Sequence, residues 1–259
     1  MSRNFSTPKK EDVFLKKGLG QNLLTDKNII NKIINNIDIN KDDVVLEIGP
    51  GLGAITIELS KKAKKVICVE KDKEMIEKLK EKVGDNVEII NADALEFIKD
   101  IDLKEYKVVA NIPYYITSSI IKGLLESTNQ PSDIYLMIQK EVGRRICSKP
   151  GDMSVLAISV QYYATPKVLF NVSKNSFYPA PKVDSAFIQI KPNGIKKNDD
   201  FFKLIKKGFF HPRKKLANNL EAREFVENWL KENKLKAGER AENLSVEQWK
   251  DLFNLMKRP

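Results

Sequence analysis

Short apolar runs alternate with segments of helical periodicity from about residue 25 onward, and this alternation limits the folds open to the chain. Five strand-like runs come before residue 140, at 44–48, 66–69, 87–90, 107–110 and 134–138. Between these runs lie segments whose apolar residues recur at helical spacing. Strands that alternate with helices predict a mostly parallel sheet covered on both faces. Two later runs, 168–172 and 185–190, have the spacing of a closing β-pair.

The alternation stops after residue 192. The segment Pro192-Asn193-Gly194 with the following lysines has the composition of a linker, and only helix-like segments lie beyond it. Ser245 and Gln248 form a predicted capping box before a final helix. We therefore expect three regions: a basic N-terminal tail (1–17), an α/β domain (18–192) and a small helical domain (198–259).

Composition excludes several classes of protein. The 259 residues are 42% hydrophobic and 31% charged, which is typical of a soluble globular protein, and no apolar run reaches the length of a membrane span. The N-terminus lacks the apolar segment of a secretory signal. Two cysteines and one histidine make a zinc site or a histidine-based triad improbable, so we predict no metal and a reducing, cytoplasmic location.

A net charge of +10 favours a polyanionic partner. Six basic residues occur without an intervening acidic residue: Lys203, Lys206, Lys207, Arg213, Lys214 and Lys215. The N-terminal tail contributes Lys9, Lys10, Lys16 and Lys17. A solvated lysine-rich surface is the alternative interpretation of the same charge.

Three polar features follow consecutive strands. Gly49, Gly51 and Gly53 follow the first, where they let the backbone approach a ligand, although Ala54 breaks the dinucleotide-binding pattern. Glu70 ends the second strand, where a carboxylate can hold the two hydroxyls of a ribose. Asp93 follows the third and could accept from an adenine amine. Strand ends of an open α/β sheet meet at one crevice, so these groups predict a nucleoside site. Taken singly, Glu70 could be a solvated charge and Asp93 a helix N-cap.

The tetrapeptide Asn111-Ile-Pro-Tyr114 follows the fourth strand. Its Asn side chain and a backbone carbonyl can accept hydrogen bonds from a planar exocyclic amine, and its aromatic ring can stack on a base. Alone, the tetrapeptide could equally be a strand-to-helix turn, with Pro as a breaker and Tyr as packing.

The joint motifs resemble the ribosomal RNA adenine dimethyltransferase family, and most closely its small-subunit branch. The matching segments are 18–24, 45–53, 111–115, 177–185, 213–220 and 238–245, and the likeness runs from about residue 9 to 255. The resemblance implies a class I methyltransferase with a Rossmann-like sheet, mostly parallel with a C-terminal antiparallel strand, and a small all-α C-terminal domain. It implies S-adenosylmethionine as the methyl donor. The implied reaction is N6-dimethylation of two adjacent adenosines in the 3′-terminal hairpin loop of 16S rRNA, by a monomer acting on the small ribosomal subunit.

The resemblance also assigns roles to residues. The cofactor would be bound by Asn22, Leu24, Gly49, Gly51, Glu70, Asp93 and Asn111. The target adenine would be held by Asn111 and the Pro113 carbonyl and sandwiched between Tyr114 and Phe177. Core packing is the other explanation of Phe177. Phosphates would be bound by Lys206, Lys207, Arg213, Lys214 and Lys215.

Two positions depart from the family pattern: Leu23 replaces the usual Phe, and Pro212 falls where the basic run usually has Arg. Because of the change at Pro212, the resemblance does not fix which residue of the basic run contacts RNA.

Two alternative functions are a large-subunit rRNA dimethyltransferase of the macrolide-resistance type and a non-catalytic ribosome assembly factor. A DNA adenine methyltransferase is disfavoured by Ile112, where such enzymes usually have proline, and a nicotinamide-dependent dehydrogenase by Ala54.

Overall fold

The computed structural model describes residues 21–257. The predicted basic tail and the first three residues of the 18–24 motif lie outside the described residues. None of the helices in the described part of the chain is long and apolar enough to cross a membrane.

Within that range the structure has nine strands and eleven α-helices. The strands are β1 (Leu23–Leu24), β2 (Val44–Ile48), β3 (Lys65–Glu70), β4 (Val87–Asn91), β5 (Tyr106–Asn111), β6 (Asp133–Gln139), β7 (Ala164–Val172), β8 (Phe177–Tyr178) and β9 (Ser185–Pro192). The helices are α1 (Lys27–Asn36), α2 (Thr56–Lys62), α3 (Lys73–Lys80), α4 (Ala94–Lys99), α5 (Thr117–Glu126), α6 (Lys140–Ile146), α7 (Val155–Tyr163), α8 (Asp199–Gly208), α9 (Leu216–Leu220), α10 (Arg223–Glu232) and α11 (Val246–Met256).

Seven strands form one sheet in the order β4-β3-β2-β5-β6-β9-β7. The pairs from β4 to β6 are parallel, and β9 runs antiparallel to β6. This topology confirms the predicted α/β fold class with an antiparallel strand near the end of the sheet.

Local sequence explains where the helices begin. Asp26 and Asp72 each accept hydrogen bonds from backbone N–H groups of the first turns of α1 and α3. Ser245 and Gln248 form both bonds of the predicted capping box before α11. The apolar faces of α1 and α3 then pack on the sheet through residues such as Ile33 and Leu79, which are fully buried.

Strand register brings the polar strand ends together. Ile48 pairs with Val69 on one side and with Ala110 on the other, and Glu70 pairs with Asn91. Because these strands are parallel, the residues that follow them emerge at one edge of the sheet. The predicted crevice therefore has a structural basis.

A second, two-stranded sheet was not predicted. β1 pairs antiparallel with β8, with Leu24 opposite Phe177 and Leu23 opposite Tyr178. Strands of two residues carry no alternating pattern, so the sequence contains no signal for this pairing.

The chain forms two compact units. Within the described residues, one unit holds 21–143 and 167–192, and the other holds 144–166 and 193–257. The second unit takes in α7, which the sequence assigned to the first domain, because Tyr162 stacks on Phe201 of α8 at 4.4 Å between ring centroids. The division into domains at 18–192 and 198–259 stays a prediction.

Candidate active site

A cavity of about 320 Å³ lies at the carboxyl edge of the sheet in the first unit. It is lined by side chains and backbone from the ends of β2, β3 and β5, from the segment after β4 and from β1. The predicted site residues at its wall are Asn22, Leu24, Gly49, Gly51, Glu70, Asp93, Asn111, Pro113 and Tyr114. The structure thus brings nine of the predicted residues around one space, while their binding roles remain predictions.

The glycine loop after β2 needs residues without a side chain. Gly49 and Gly51 have φ angles of +70° and +54°, in the left-handed region. A Cβ on Gly51 would lie 3.0 Å from Leu23 Cδ2, a tight contact, whereas at Gly49 the φ angle alone favours glycine. The loop backbone therefore forms the cavity floor directly.

Glu70 is held by backbone donors. Its Oε1 accepts from the N–H groups of Lys71 and Asp72, each at 2.9 Å, and its Oε2 accepts from Gly51 N–H at 3.3 Å. A carboxylate oxygen has further acceptor capacity, so these bonds orient the group without exhausting it. The arrangement suits a carboxylate that receives two vicinal hydroxyls.

Asp93 has two partners in the structure. Its Oδ1 caps α4 by accepting from Leu95 N–H at 2.9 Å, and its Oδ2 accepts from Lys71 Nζ at 2.9 Å. The hydrogen bond with Lys71 is the main reason why the pKa of Asp93 lies below its ordinary value. The helix-cap interpretation is therefore right, and a ligand amine at Oδ2 would compete with Lys71. Such an exposed ion pair is weak, so the competition costs little.

Asn111 is oriented by one hydrogen bond. Its Nδ2 donates to the backbone carbonyl of Asn22 at 3.1 Å. A carbonyl only accepts, so this bond requires the amide nitrogen on that side and leaves Oδ1 as an acceptor. Within residues 21–257 no group donates to Oδ1. Asn111 is thereby fixed as a hydrogen-bond acceptor at the cavity wall.

The rest of the tetrapeptide forms a turn into α5. The Pro113 carbonyl accepts from Ile116 N–H at 3.2 Å, which leaves its second lone pair for another donor. The Tyr114 hydroxyl lies 2.7 Å from Ser185 Oγ, and burial raises the pKa of this phenol above its ordinary value. The hydrogen bond fixes the ring position, as a stacking platform requires.

Phe177 lies elsewhere. It is only 4% exposed, belongs to the hydrophobic core of the first unit and is absent from the described residues that line the cavity. Its position in β8, opposite Leu24, gives it a packing function in this structure. The stacking role assigned to Phe177 remains a prediction, and a ring in this position would have to move to meet a base.

The predicted phosphate-binding residues all belong to the second unit. Lys206 and Lys207 lie in the last turn of α8, and Arg213, Lys214 and Lys215 lie in the exposed segment before α9. Lys207 forms an ion pair with Glu221 at 2.8 Å. We call residues 209–215 the basic loop.

Sequence reasoning overlooked Glu47 and Tyr115, which both line the cavity. Glu47 is buried on β2, where loss of hydration raises its pKa from 4.5 to about 7, and Cys68 Sγ donates to its Oε2 at 3.6 Å. Tyr115 is 69% exposed. The signal for Glu47 was present, because it is the one charged residue in an otherwise apolar strand.

The parallel sheet with its reversed strand, the glycine loop and the acceptor groups at the strand ends define a Rossmann-like methyltransferase domain. A family model described as ribosomal RNA adenine dimethylase matches residues 14–258. The chain belongs to this family and is an rRNA adenine dimethyltransferase.

Relatives of known name are similar to this chain in sequence over nearly its full length. The chain is 40% identical to "Ribosomal RNA small subunit methyltransferase A" of Fusobacterium nucleatum, over 93% of this chain and 97% of the relative. It is also 40% identical to the protein of that name from Mycoplasma capricolum, with the same coverage.

Two solved structures have similar folds. A dimethyladenosine transferase from Plasmodium falciparum has a TM-score of 0.76 and 29% identity, covering 89% of this chain and 95% of that one. The 23S rRNA methyltransferase ErmE also has a TM-score of 0.76, with 27% identity, and covers 92% of this chain and 100% of that one. A 23S rRNA methyltransferase thus has a similar fold, so fold alone does not identify the rRNA substrate of this chain.

Proposed function

We propose that the chain uses S-adenosylmethionine to dimethylate N6 of two adjacent adenosines in the 3′-terminal hairpin loop of 16S rRNA. It would act as a monomer on the small ribosomal subunit in the cytoplasm. The observation that carries the chemistry is the hydrogen bond from Asn111 to Asn22, which presents Oδ1 as an acceptor beside the glycine loop. The names of the curated relatives support the small subunit as substrate.

The donor and acceptor groups of the cavity fit this cofactor. Glu70 would accept from the ribose hydroxyls, Asp93 would accept from the adenine amine, and Asn22 with the Leu24 backbone would cover the methionine end. Gly49 and Gly51 allow the close backbone approach that a bound nucleoside needs. When bound, S-adenosylmethionine supplies an activated methyl group on a positively charged sulfur.

The protein would act on the target base mainly by orienting it. The N6 lone pair of adenine is delocalised into the ring, so the amine is a poor nucleophile. Asn111 Oδ1 and the Pro113 carbonyl would accept its two N–H groups, which favours a pyramidal nitrogen whose lone pair points out of the ring plane. Tyr114 would stack on the base flipped out of the RNA. Positioning and fixed dipoles supply the rate enhancement. No strong base is needed, because the positively charged N6 that results from methyl transfer loses its proton to solvent afterwards.

A second methyl transfer has different requirements. The singly methylated nitrogen has one N–H group left, so one of the two acceptors is enough to orient it. The wall around Asn111 and Tyr114 must then accommodate the first methyl group. These residues therefore determine whether the product has one or two methyl groups.

Primer extension on both rRNAs tests the choice of subunit. Dimethylated adenosines stop reverse transcriptase, so a strain that lacks the gene should lose two adjacent stops near the 3′ end of the small-subunit rRNA. Loss of a stop in the large-subunit rRNA instead would establish the macrolide-resistance type of activity. Unchanged stops in both would leave only an assembly function.

A further inference from the structure

We propose that Phe210 is a stacking site for an unpaired RNA base, flanked by basic side chains that bind the neighbouring phosphates. Phe210 is 74% exposed, the largest exposed fraction among the bulky apolar residues of the described chain. It lies at the start of the basic loop. The proposal rests on RNA being the substrate, as proposed above, and adds a base contact where the charge pattern alone predicts only phosphate contacts.

The two adjacent phenylalanines of this loop differ in environment, since Phe209 is half-buried and Phe210 is exposed. Phe209 packs inward against Trp249, with 6.0 Å between the ring centroids. Phe210 points outward, and its ring contacts His211 at 4.6 Å between centroids and an interplanar angle of 71°. Core packing accounts for Phe209 and leaves the exposure of Phe210 unexplained.

The backbone beneath Phe210 is fixed from the interior. Asn219 is buried, and its Nδ2 donates to the carbonyl of Gly208 at 2.6 Å and to that of His211 at 3.0 Å. These two bonds bracket Phe209 and Phe210. A stacking platform benefits from such anchoring, because less conformational entropy is lost when a base binds.

The positive charge around Phe210 favours a nucleotide as its binding partner. Lys206, Arg213, Lys214 and Lys215 form no ion pair with an acidic residue of the described chain. An apolar protein segment would gain nothing from these cations, whereas a nucleotide offers both a ring for Phe210 and a phosphate for its neighbours. Paired bases keep their faces covered, so the matching partner is an unpaired nucleotide of RNA.

Phe225 shows that exposure alone does not make such a site. It is 41% exposed on α10 of the same unit, next to Glu224 and close to the Arg223–Glu227 ion pair. Its acidic neighbours would repel phosphate. Phe225 is therefore the matched control.

The test compares binding of a single-stranded RNA oligonucleotide with binding of the same sequence in a duplex, using the full chain. Phe210→Ala should weaken single-strand binding by about 5- to 150-fold, the range measured for loss of one base–aromatic stack. Duplex binding and the salt dependence of both should stay unchanged, because the phosphate contacts remain. Phe225→Ala should leave all of these quantities unchanged.

Phe210→Trp gives an independent readout. The two native tryptophans, Trp229 and Trp249, are buried, so a tryptophan at 210 should be quenched selectively by single-stranded RNA. It should also bind that RNA at least as tightly as the wild type.

Equal affinity of Phe210→Ala and wild type for the single strand would overturn the stacking site. An equal loss of affinity for the single strand and the duplex would also overturn it, because a stacking site should bind only unpaired bases. These outcomes differ from failure of the function proposed above, in which the wild type itself would methylate no small subunit, whatever RNA it binds.

Discussion

In the cavity of the first unit the polar side chains are held by neighbouring groups, whereas in the basic loop of the second unit they project without acidic partners. Glu70 accepts three backbone N–H groups, and Asn111 is oriented by the Asn22 carbonyl. Arg213, Lys214 and Lys215 are exposed and form no ion pair within the described residues.

The difference follows from the work that each region does. Orienting a weak nucleophile needs a fixed acceptor, because a small displacement can cost a large factor in rate. Attracting a polyanion needs only charge, which acts over about 8–10 Å at physiological salt and tolerates side-chain motion. We therefore expect cavity variants to change chemistry or cofactor binding, and loop variants to change substrate affinity.

Asn111→Ala should have the largest effect. Loss of the oriented acceptor should lower kcat for methyl transfer by about 100- to 1,000-fold, as for removal of one preorganised hydrogen-bonding group. Asn86→Ala is the control, since Asn86 also donates to backbone carbonyls but lies before β4, at the opposite edge of the sheet. Steady-state kinetics on immature small subunits measures both. A kcat within threefold of wild type for Asn111→Ala would contradict the expectation that cavity variants change the chemical step.

Glu47 should make the stability of the cavity unit depend on pH. Because burial raises its pKa to about 7, the folded chain keeps a proton that the unfolded chain releases from pH 4.5 upward. Stability from this group is therefore greatest below pH 4.5 and falls as pH rises to about 7, by about 3 kcal/mol.

Denaturant unfolding of Glu47→Gln against wild type tests this. The difference in unfolding free energy, variant minus wild type, should grow by that amount between pH 4.5 and 7.5. Glu88→Gln, at an exposed position on β4 in an ion pair with Lys65, should show no such growth. Parallel pH profiles of Glu47→Gln and wild type would contradict the buried titration.

Glu70→Ala should weaken binding of S-adenosylmethionine by about ten- to a hundredfold, the expected loss for hydrogen bonds to a charged group. Isothermal calorimetry measures the affinity, and thermal unfolding separates it from a loss of stability. Glu58→Ala, at a half-buried position on α2 in an ion pair with Lys61, should bind as wild type does. Unchanged affinity of Glu70→Ala for S-adenosylmethionine would contradict the proposal that Glu70 binds the ribose hydroxyls.

The double variant Arg213→Ala/Lys214→Ala should have the smallest effect on chemistry. Its KM for immature subunits should rise about tenfold at physiological salt, with kcat within twofold, because only phosphate contacts are lost. Arg223→Ala removes a positive charge that is paired with Glu227 in the same unit, so it is the control and should leave KM unchanged. A fall in kcat with constant KM would place the basic loop in the chemical step.

Strand and helix positions could be predicted because their signals are local. The run 44–48 is β2 to the residue, and Asp26 and Asp72 cap the helices that follow them. The sheet edge that carries the site follows from parallel strands alone. The resemblance to the family added the assignment of individual residues.

Other features depend on contacts between distant residues and could not be predicted. The Asn111–Asn22 bond joins residues 89 positions apart, and the β1–β8 pairing involves strands of only two residues. Phe177 lies in the core in this structure, a position that its sequence context alone does not indicate, and its stacking on the target base stays a prediction. Nor does the sequence distinguish the exposed Phe210 from the half-buried Phe209.

Methyl transfer from labelled S-adenosylmethionine to immature small subunits, with the modified nucleosides identified by mass spectrometry, tests the central claim most directly. Wild type should give N6,N6-dimethyladenosine at two adjacent positions of the 3′-terminal hairpin loop, and Asn111→Ala should give almost none. Label on another atom or nucleoside, or incorporation by Asn111→Ala at the wild-type rate, would contradict the role of the oriented acceptor at the cavity wall.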